Sequence, residues 1–427
     1  MNIIVYGLWH LGSVTAACLA DKGFTVIGID DDKNAIDALS KGKPPIFEPG
    51  LEALVQKHLA SGALSFTHDK SAVAKADVVW VTLDTPVDEQ DRADVESVKQ
   101  SVMSLFPHLK NDTVVLISSQ LPMGSTQALA DAYRASYKQD VHFAYSPENL
   151  RLGKAIAAFN EPQRVVVGTS SDKARTILAS IFTRYTDNIL WMRIASAEMV
   201  KHGLNSFLAT CITFINEIAE LCETAGADAA EVERGLRSEP RIGEKAYIKP
   251  GSAFAGGTLA RDVRYLCDIA SDAGVEAPLL SNIIASNEAH KHWVMRTLTK
   301  ELQSLRGKHI AMLGLAYTPG TDTLRRSFAI ELCQSLQAEG AHIIAYDPEI
   351  KTLPQTLSFI TLASDMRSLC EGAHALIVGN EHGAFKMLTK DMVLRMAHAC
   401  IIDQNGWLAQ LQAPDICYIR LGQPHAA

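Results

Sequence analysis

Twice in this chain a short β-branched, apolar run meets a glycine and then a helix-forming stretch, and that repeated event constrains the fold more than any other feature. Residues Asn2 to Tyr6 run into Gly7, the small residues Leu11 to Leu19 follow, and a second apolar run, Thr25 to Ile29, ends at Asp30. From His309 to Leu313 the succession begins again at Gly314, with Ser327–Gln337 as its helix and Ile343–Tyr346 as its second strand. Strand, tight turn, helix and strand in that order make a βαβ unit. Strand-like runs at Val78–Thr82, Val114–Ile117 and Val165–Val167 extend the first unit, and Ala375–Val378 and Cys400–Ile402 extend the second. The predicted class is α/β, with two Rossmann-like, doubly wound, mostly parallel domains.

The segment between them reads differently. From Ala195 to Ala225 there is no proline, glycine occurs only at Gly203, and Met199, Phe207, Phe214, Ile218 and Leu221 recur at helical spacing. That pattern predicts one long helix. Leu204, Leu208 and Ile212 put apolar residues on further faces of it, so it is expected to be buried on several sides. The predicted division is 1–194 for the first Rossmann domain, 195–300 for a central helical domain and 301–427 for the second Rossmann-like domain.

Composition sets outer bounds. A chain of 427 residues, 47% hydrophobic and 21% charged, has material for more than one core. A formal net charge of -8 argues against nucleic-acid binding but leaves room for a small anionic ligand on a local cationic site. No apolar run has the length of a membrane span, and no basic stretch precedes the first strand, so a cytoplasmic protein without membrane insertion is expected. The eight cysteines form no CxxC pair or Cys/His cluster along the sequence. They are expected to be buried, reduced thiols, with no metal site.

Gly7-Leu8-Trp9-His10-Leu11-Gly12 occupies the place of a dinucleotide fingerprint, between a strand and the start of a helix. Gly7 allows the tight turn, Gly12 allows the helix to pack closely, and the N–H groups of the helix start, at Trp9, His10 and Leu11, suit a pyrophosphate. Asp30, at the end of the next strand, suits both ribose hydroxyls and repels a 2′-phosphate, which favours NAD over NADP. Trp9 stands where a second glycine normally lets the backbone approach the phosphates.

Several further segments together resemble the UDP-glucose/GDP-mannose dehydrogenase family along nearly the whole chain. They are Pro45-Ile46-Phe47-Glu48-Pro49-Gly50-Leu51-Glu52, Asp84-Thr85-Pro86, Ser146-Pro147-Glu148-Asn149-Leu150-Arg151 and Pro162-Gln163-Arg164-Val165-Val166-Val167-Gly168. The long helix adds Ala197-Glu198-Met199-Val200-Lys201, then Asn205, and Phe214-Ile215-Asn216-Glu217. The second Rossmann-like domain adds Gly314-Leu315-Ala316-Tyr317, Thr321-Asp322 to Arg325, and Tyr346-Asp347-Pro348. The resemblance implies an NAD-dependent oxidoreductase acting on a nucleotide sugar, most simply a UDP-sugar, in polysaccharide precursor synthesis, with 195–300 as a dimerisation domain that builds a homodimer through the long helix.

It also implies roles. Thr85 and Pro86 lie beside the cofactor. Glu148 and Leu150 lie on a loop at the reacting end of the sugar. Lys201 and Asn205, four apart and so on one helix face, stabilise charge at a sugar oxygen. Asp262 belongs to the catalytic group, Gly256 and Gly257 suit a loop folded over substrate, and Arg325 binds the sugar nucleotide with a fork suited to phosphate oxygens.

The sequence departs from the family in one place that matters chemically. Against the family's GFGGSCFPKD, this chain reads Ala253-Phe254-Ala255-Gly256-Gly257-Thr258-Leu259-Ala260-Arg261-Asp262, so Thr258 stands at the nucleophilic cysteine. Arg261 keeps the lysine's charge. Gln120, Leu152 and Thr318 replace the threonine, glutamate and lysine of other family segments, and Cys267 lies more than two helical turns beyond Thr258. The first oxidation, alcohol to aldehyde, needs no covalent partner, whereas the second uses a thiolate. Two other readings stand beside the dehydrogenase: a non-catalytic relative that binds NAD or nucleotide sugar, and a β-hydroxyacid dehydrogenase, whose helix also carries a Lys-x-x-x-Asn pair.

Overall fold

Strand β1 (Asn2–Tyr6) shows how the first sheet is held. Its side chains alternate between two apolar layers: Ile3 and Val5 pack with Val14, Cys18 and Leu178, while Ile4 and Tyr6 pack with Val98, Leu129 and Tyr133. A strand apolar on both faces belongs inside a sheet covered by helices on both sides. The computed structural model describes residues 1–86, 93–148, 150, 152–255 and 257–424, and its chain separates into two compact units, Met1–Leu204 and Asn205–Ala427.

In the first unit β1 is joined by β2 (Thr25–Ile29), β3 (Leu64–Thr67), β4 (Val78–Val81), β5 (Val114–Ile117), β6 (His142–Tyr145), β7 (Val165–Thr169) and β8 (Ile189–Met192). The order is β3-β2-β1-β4-β5-β6-β7-β8, and every neighbouring pair is parallel except β6 with β7. The order reverses between β1 and β4, so the loops leaving those two strands flank the crevice where doubly wound sheets take ligands.

The second unit repeats the plan with β9 (His309–Leu313), β10 (His342–Tyr346), β11 (Ile360–Leu362), β12 (Ala375–Val378), β13 (Cys400–Ile402) and β14 (Cys417–Ile419). These run in the order β11-β10-β9-β12-β13-β14, all parallel. Here too alternate residues of the central strand face opposite cores, Ile310 and Met312 on one side and Ala311 and Leu313 on the other.

The predicted long helix is a single element of 32 residues, Ile194–Ala225. The residues that announced it do not all enter the core. Phe207, Phe214 and Leu221, spaced by seven, are 65%, 49% and 63% exposed. Ile194, Ala197, Ala209, Ile215, Ala219 and Cys222 are the apolar residues it buries. No described helix is long and apolar enough to cross a membrane. The cysteines correct one expectation. All eight are free, but Cys211, Cys267 and Cys417 are only partly buried, Cys267 and Cys417 packing against the margins of apolar clusters.

Candidate active site

The first unit builds its glycine turn with little slack. Gly7 has φ +95°, and a Cβ there would stand 2.8 Å from atoms of Leu83. A Cβ on Gly12 would lie 1.7 Å from the Gly7 carbonyl oxygen, so no other residue fits. Thr82 Oγ1 donates to that same carbonyl at 2.8 Å and Ser13 Oγ donates to the Leu8 carbonyl at 2.6 Å. Asp30 braces the turn from the neighbouring strand: its carboxylate accepts from Leu8 N at 2.6 Å and from Asp32 N at 2.9 Å.

Trp9 caps the helix His10–Asp21 with φ −69°, a value that needs no glycine, and its side chain is 51% exposed. What it changes is bulk at the mouth of the turn. No side chain caps that helix, which leaves its first N–H groups for an anion. The turn therefore passes the test of fit for a dinucleotide: a glycine cradle that a Cβ would fill, an uncapped helix start, and an acidic residue with further lone pairs at the end of β2.

Two buried carboxylates, Glu48 and Glu198, hold the loops around this crevice. Glu48 accepts from Gly153 N at 2.8 Å and Ala155 N at 2.9 Å, and it meets His10 Nε2 at 2.9 Å. His10, expected at the cofactor, is thereby fixed on Glu48. Glu198, on the long helix, accepts from Gly124 N at 2.6 Å and Thr126 N at 3.0 Å, capping the helix Ser125–Ser136. A glutamate inside an apolar run was the available signal for Glu198. For Glu48 no local pattern gave it away. Thr85 is buried and donates to the Gln120 carbonyl at 2.7 Å, tying together the loops that leave β4 and β5. Pro86 is exposed beside it, and its carbonyl accepts from Asp94 N at 2.8 Å.

Lys201 and Glu148 come together in the first unit. The buried ammonium donates to the Glu148 carbonyl oxygen at 2.6 Å and stands 3.4 Å from its carboxylate, whose other oxygen accepts from Leu150 N at 2.9 Å. Asn149 and Arg151 lie outside the described residues.

In the second unit Asn205 and Asp262 are both buried, and the Asn205 amide donates to the Asp262 carboxylate. Thr258 is the exposed first residue of the helix Thr258–Asp272, and Gly257 before it has φ +109°. A side chain at Gly257 would meet the Arg326 guanidinium at 2.6 Å. Arg325, expected at the sugar nucleotide, is itself exposed, and it is the neighbouring Arg326 that stands over the glycine. Gly256 lies outside the described residues.

The loop into this helix is clamped by three amides, of which the sequence motifs carry only Asn216, with no role attached. Asn216 Oδ1 accepts from Gly251 N at 3.0 Å, Asn405 Oδ1 from Ser252 N at 2.8 Å, and Asn287 bonds both N–H and carbonyl of Phe254 at 2.9 and 2.8 Å. Cys267 offers no replacement nucleophile. Burial, then Asp268, raises its thiol pKa, the opposite of what a thiolate needs. Burial also pushes the Tyr265 hydroxyl up to about 12, opposed by Arg261 and reinforced by Asp262 and Asp268, so it remains a neutral donor.

Residues 1–186 match the NAD binding domain of the UDP-glucose/GDP-mannose dehydrogenase family, residues 195–289 its central domain and residues 311–410 its UDP binding domain. A UDP-glucose 6-dehydrogenase of Rhizobium meliloti (strain 1021) is 35% identical over 401 residues, 92% of this chain and 92% of its own length. The UDP-glucose 6-dehydrogenase TuaD of Bacillus subtilis (strain 168) is 32% identical over 99% of this chain and 93% of its own. Among solved structures, a UDP-glucose dehydrogenase from Pyrobaculum islandicum superposes with a TM-score of 0.85 at 28% identity, covering 93% of this chain and 96% of that one.

Proposed function

The chain belongs to the UDP-glucose/GDP-mannose dehydrogenase family, and on that premise we propose that it oxidises the CH–OH group of a UDP-sugar with NAD, in the supply of precursors for polysaccharide. The observation that carries this reading is that both polar pairs of the family's chemistry are kept and engaged, Lys201 with Glu148 and Asn205 with Asp262. NAD supplies the hydride acceptor when bound. The residues that would hold it are Gly7, Trp9, His10, Leu11 and Gly12 at the pyrophosphate, Asp30 at the ribose, and Thr85 and Pro86 beside them.

The chain's own part is electrostatic. Lys201 and Asn205, one turn apart on one helix, stabilise the alkoxide oxygen as its proton leaves, and a preorganised ammonium in a buried setting does this far better than water. Glu148 fixes the Lys201 ammonium and positions a water for attack on the aldehyde. Arg325 and the Gly256–Gly257 loop take the sugar nucleotide.

Thr258 divides the reaction. A hydroxyl is a poor nucleophile at neutral pH, so the aldehyde lacks a covalent route to the acid and oxidation is slow or stops after one step. The test is to incubate the protein with NAD and a panel of UDP-sugars, measuring NADH by absorbance and product by mass. NADH with a sugar aldehyde as main product supports the reading. Binding of NAD and UDP-sugar without any NADH favours a non-catalytic relative, the reading that Thr258 and Trp9 would then carry.

We assign 195–300 as the dimerisation domain, between the NAD-binding 1–194 and the UDP-sugar-binding 301–427. The exposed stripe of Phe207, Phe214 and Leu221 supports a second copy of this chain as its cover, since apolar residues at spacing seven form a helix–helix seam. An enzyme using NAD and a nucleotide sugar belongs with those pools, in the cytoplasm.

A further inference from the structure

The second unit gathers four metal-donor side chains that are scattered along the sequence. Glu301 lies in the last turn of the helix Trp293–Leu302, His398 precedes β13, and Cys400 and Cys417 open β13 and β14 as register partners. One carboxylate oxygen of Glu301 and the two Sγ atoms all lie within 4.8 Å of one another. His398 Nε2 is 3.3 Å from Glu301 Oε1, and Cys417 Sγ is 3.5 Å from the same oxygen. Around a tetrahedral zinc, bonds of about 2.3 Å to sulfur and about 2.0 Å to nitrogen or oxygen set donors roughly 3.3 to 3.8 Å apart. Glu301 Oε1 already stands at that spacing from His398 Nε2 and from Cys417 Sγ without an ion.

We propose that Glu301, His398, Cys400 and Cys417 form a site for a thiophilic divalent cation of the zinc class. The absence of a CxxC pair suggested no metal site; the fold assembles one from positions up to 116 residues apart. Binding forms two metal–sulfur bonds, one metal–nitrogen bond and one metal–oxygen bond, and releases two thiol protons to solvent, with no change of oxidation state. Cys400 is fully buried, whereas the His398 and Glu301 side chains are 44% and 31% exposed, so a cation can enter from the open side.

Position decides what such a cation does. Cys400 and Cys417 are the first residues of their strands, whereas ligands of doubly wound sheets bind where the strands end. The cation is therefore a clamp, pinning the end of the helix that carries Glu301 to the edge of the second sheet. The other carboxylate–histidine group, Asp112, Asp140 and His142, is open at its two aspartates and pairs with the Lys173 ammonium, so it serves as an internal control.

The experiment uses the full chain, stripped with a chelator and then titrated with zinc or cobalt. The expected results are one zinc per chain, two protons released per zinc, thiolate-to-cobalt charge-transfer absorption with tetrahedral d–d bands, and a higher thermal midpoint. His398→Ala, at a partly exposed position, should weaken zinc by at least about the 10-fold that loss of an outer-shell partner alone causes. The double variant Cys400→Ser, Cys417→Ser should lose the charge-transfer band. NADH formation should not change with zinc. Zinc retained equally by the double variant, an octahedral cobalt spectrum, or affinity unaltered in His398→Ala would each overturn the proposal.

Discussion

Lys201 Nζ lies 2.6 Å from the carbonyl oxygen of Glu148 and 3.4 Å from its carboxylate, so one residue supplies the buried ammonium with both a neutral and a charged acceptor. Glu148→Ala removes the charge and keeps the carbonyl. We expect the change to cost about 1–3 kcal/mol of stability, below the usual penalty for breaking a buried pair because Glu148 is partly exposed. Lys201→Met should lower kcat roughly 10²–10³-fold, the loss typical of one preorganised charge at a developing oxyanion. Urea unfolding and steady-state NADH formation separate the two effects.

Thr258 starts a helix, and a helix N-terminus is where a thiol is acidified. Thr258→Cys should therefore carry a reactive thiolate and convert the reaction to two NADH per UDP-sugar with acid as product. Trapping a thioester by mass spectrometry checks it. Two NADH per sugar at full rate from the unmodified chain would sink the assignment.

Asp30 braces Leu8 N, and in the proposed reaction it also faces the adenosine ribose. Asp30→Ala should weaken NAD at least about tenfold and narrow the preference over NADP, the residue being the one that reads the 2′ position. Trp9→Gly should tighten NAD severalfold by clearing the approach to the turn. Isothermal titration of both cofactors measures each, and a loss of NAD affinity in Trp9→Gly would refute the second.

Replacing Phe207 and Phe214 together by glutamate places charges on the exposed stripe of the long helix. Sedimentation at micromolar concentration should then show a monomer where the unmodified chain gives a dimer. A monomeric unmodified chain would remove the proposed interface.

How much of this was legible depended on where each element lies in its sheet. The strands read from sequence, β1, β2, β4, β5, β7, β9, β10, β12 and β13, are mostly interior and apolar. Of the five missed, β3, β8, β11 and β14 are the four sheet edges, short and half-exposed, where an apolar run is not required. The fifth, β6, is interior, but four residues beginning with histidine gave no clear signal. The site divides in the same way. Lys201 and Asn205 were visible because helical spacing is local. The roles of Asn216, Asn287 and Asn405 were not, because each clamps a loop from far along the chain, and an amide needing one distant backbone partner leaves no periodic mark.

Glu48→Ala should cost about 2–4 kcal/mol, since it strands two backbone N–H groups and the His10 ring at once. Glu48→Gln, retaining one acceptor oxygen, should cost less. Chemical unfolding measures both.

The same carboxylate sets a timetable for synthesis. Its backbone donors come 105 and 107 residues later, so a nascent chain that has completed the first strand–turn–helix still holds Glu48 without them. Burying it then would leave a charge short of its partners, which is costly. Glu48 can thus complete its hydrogen bonds only after the ribosome has passed Ala155, and a chain arrested earlier leaves this carboxylate to water.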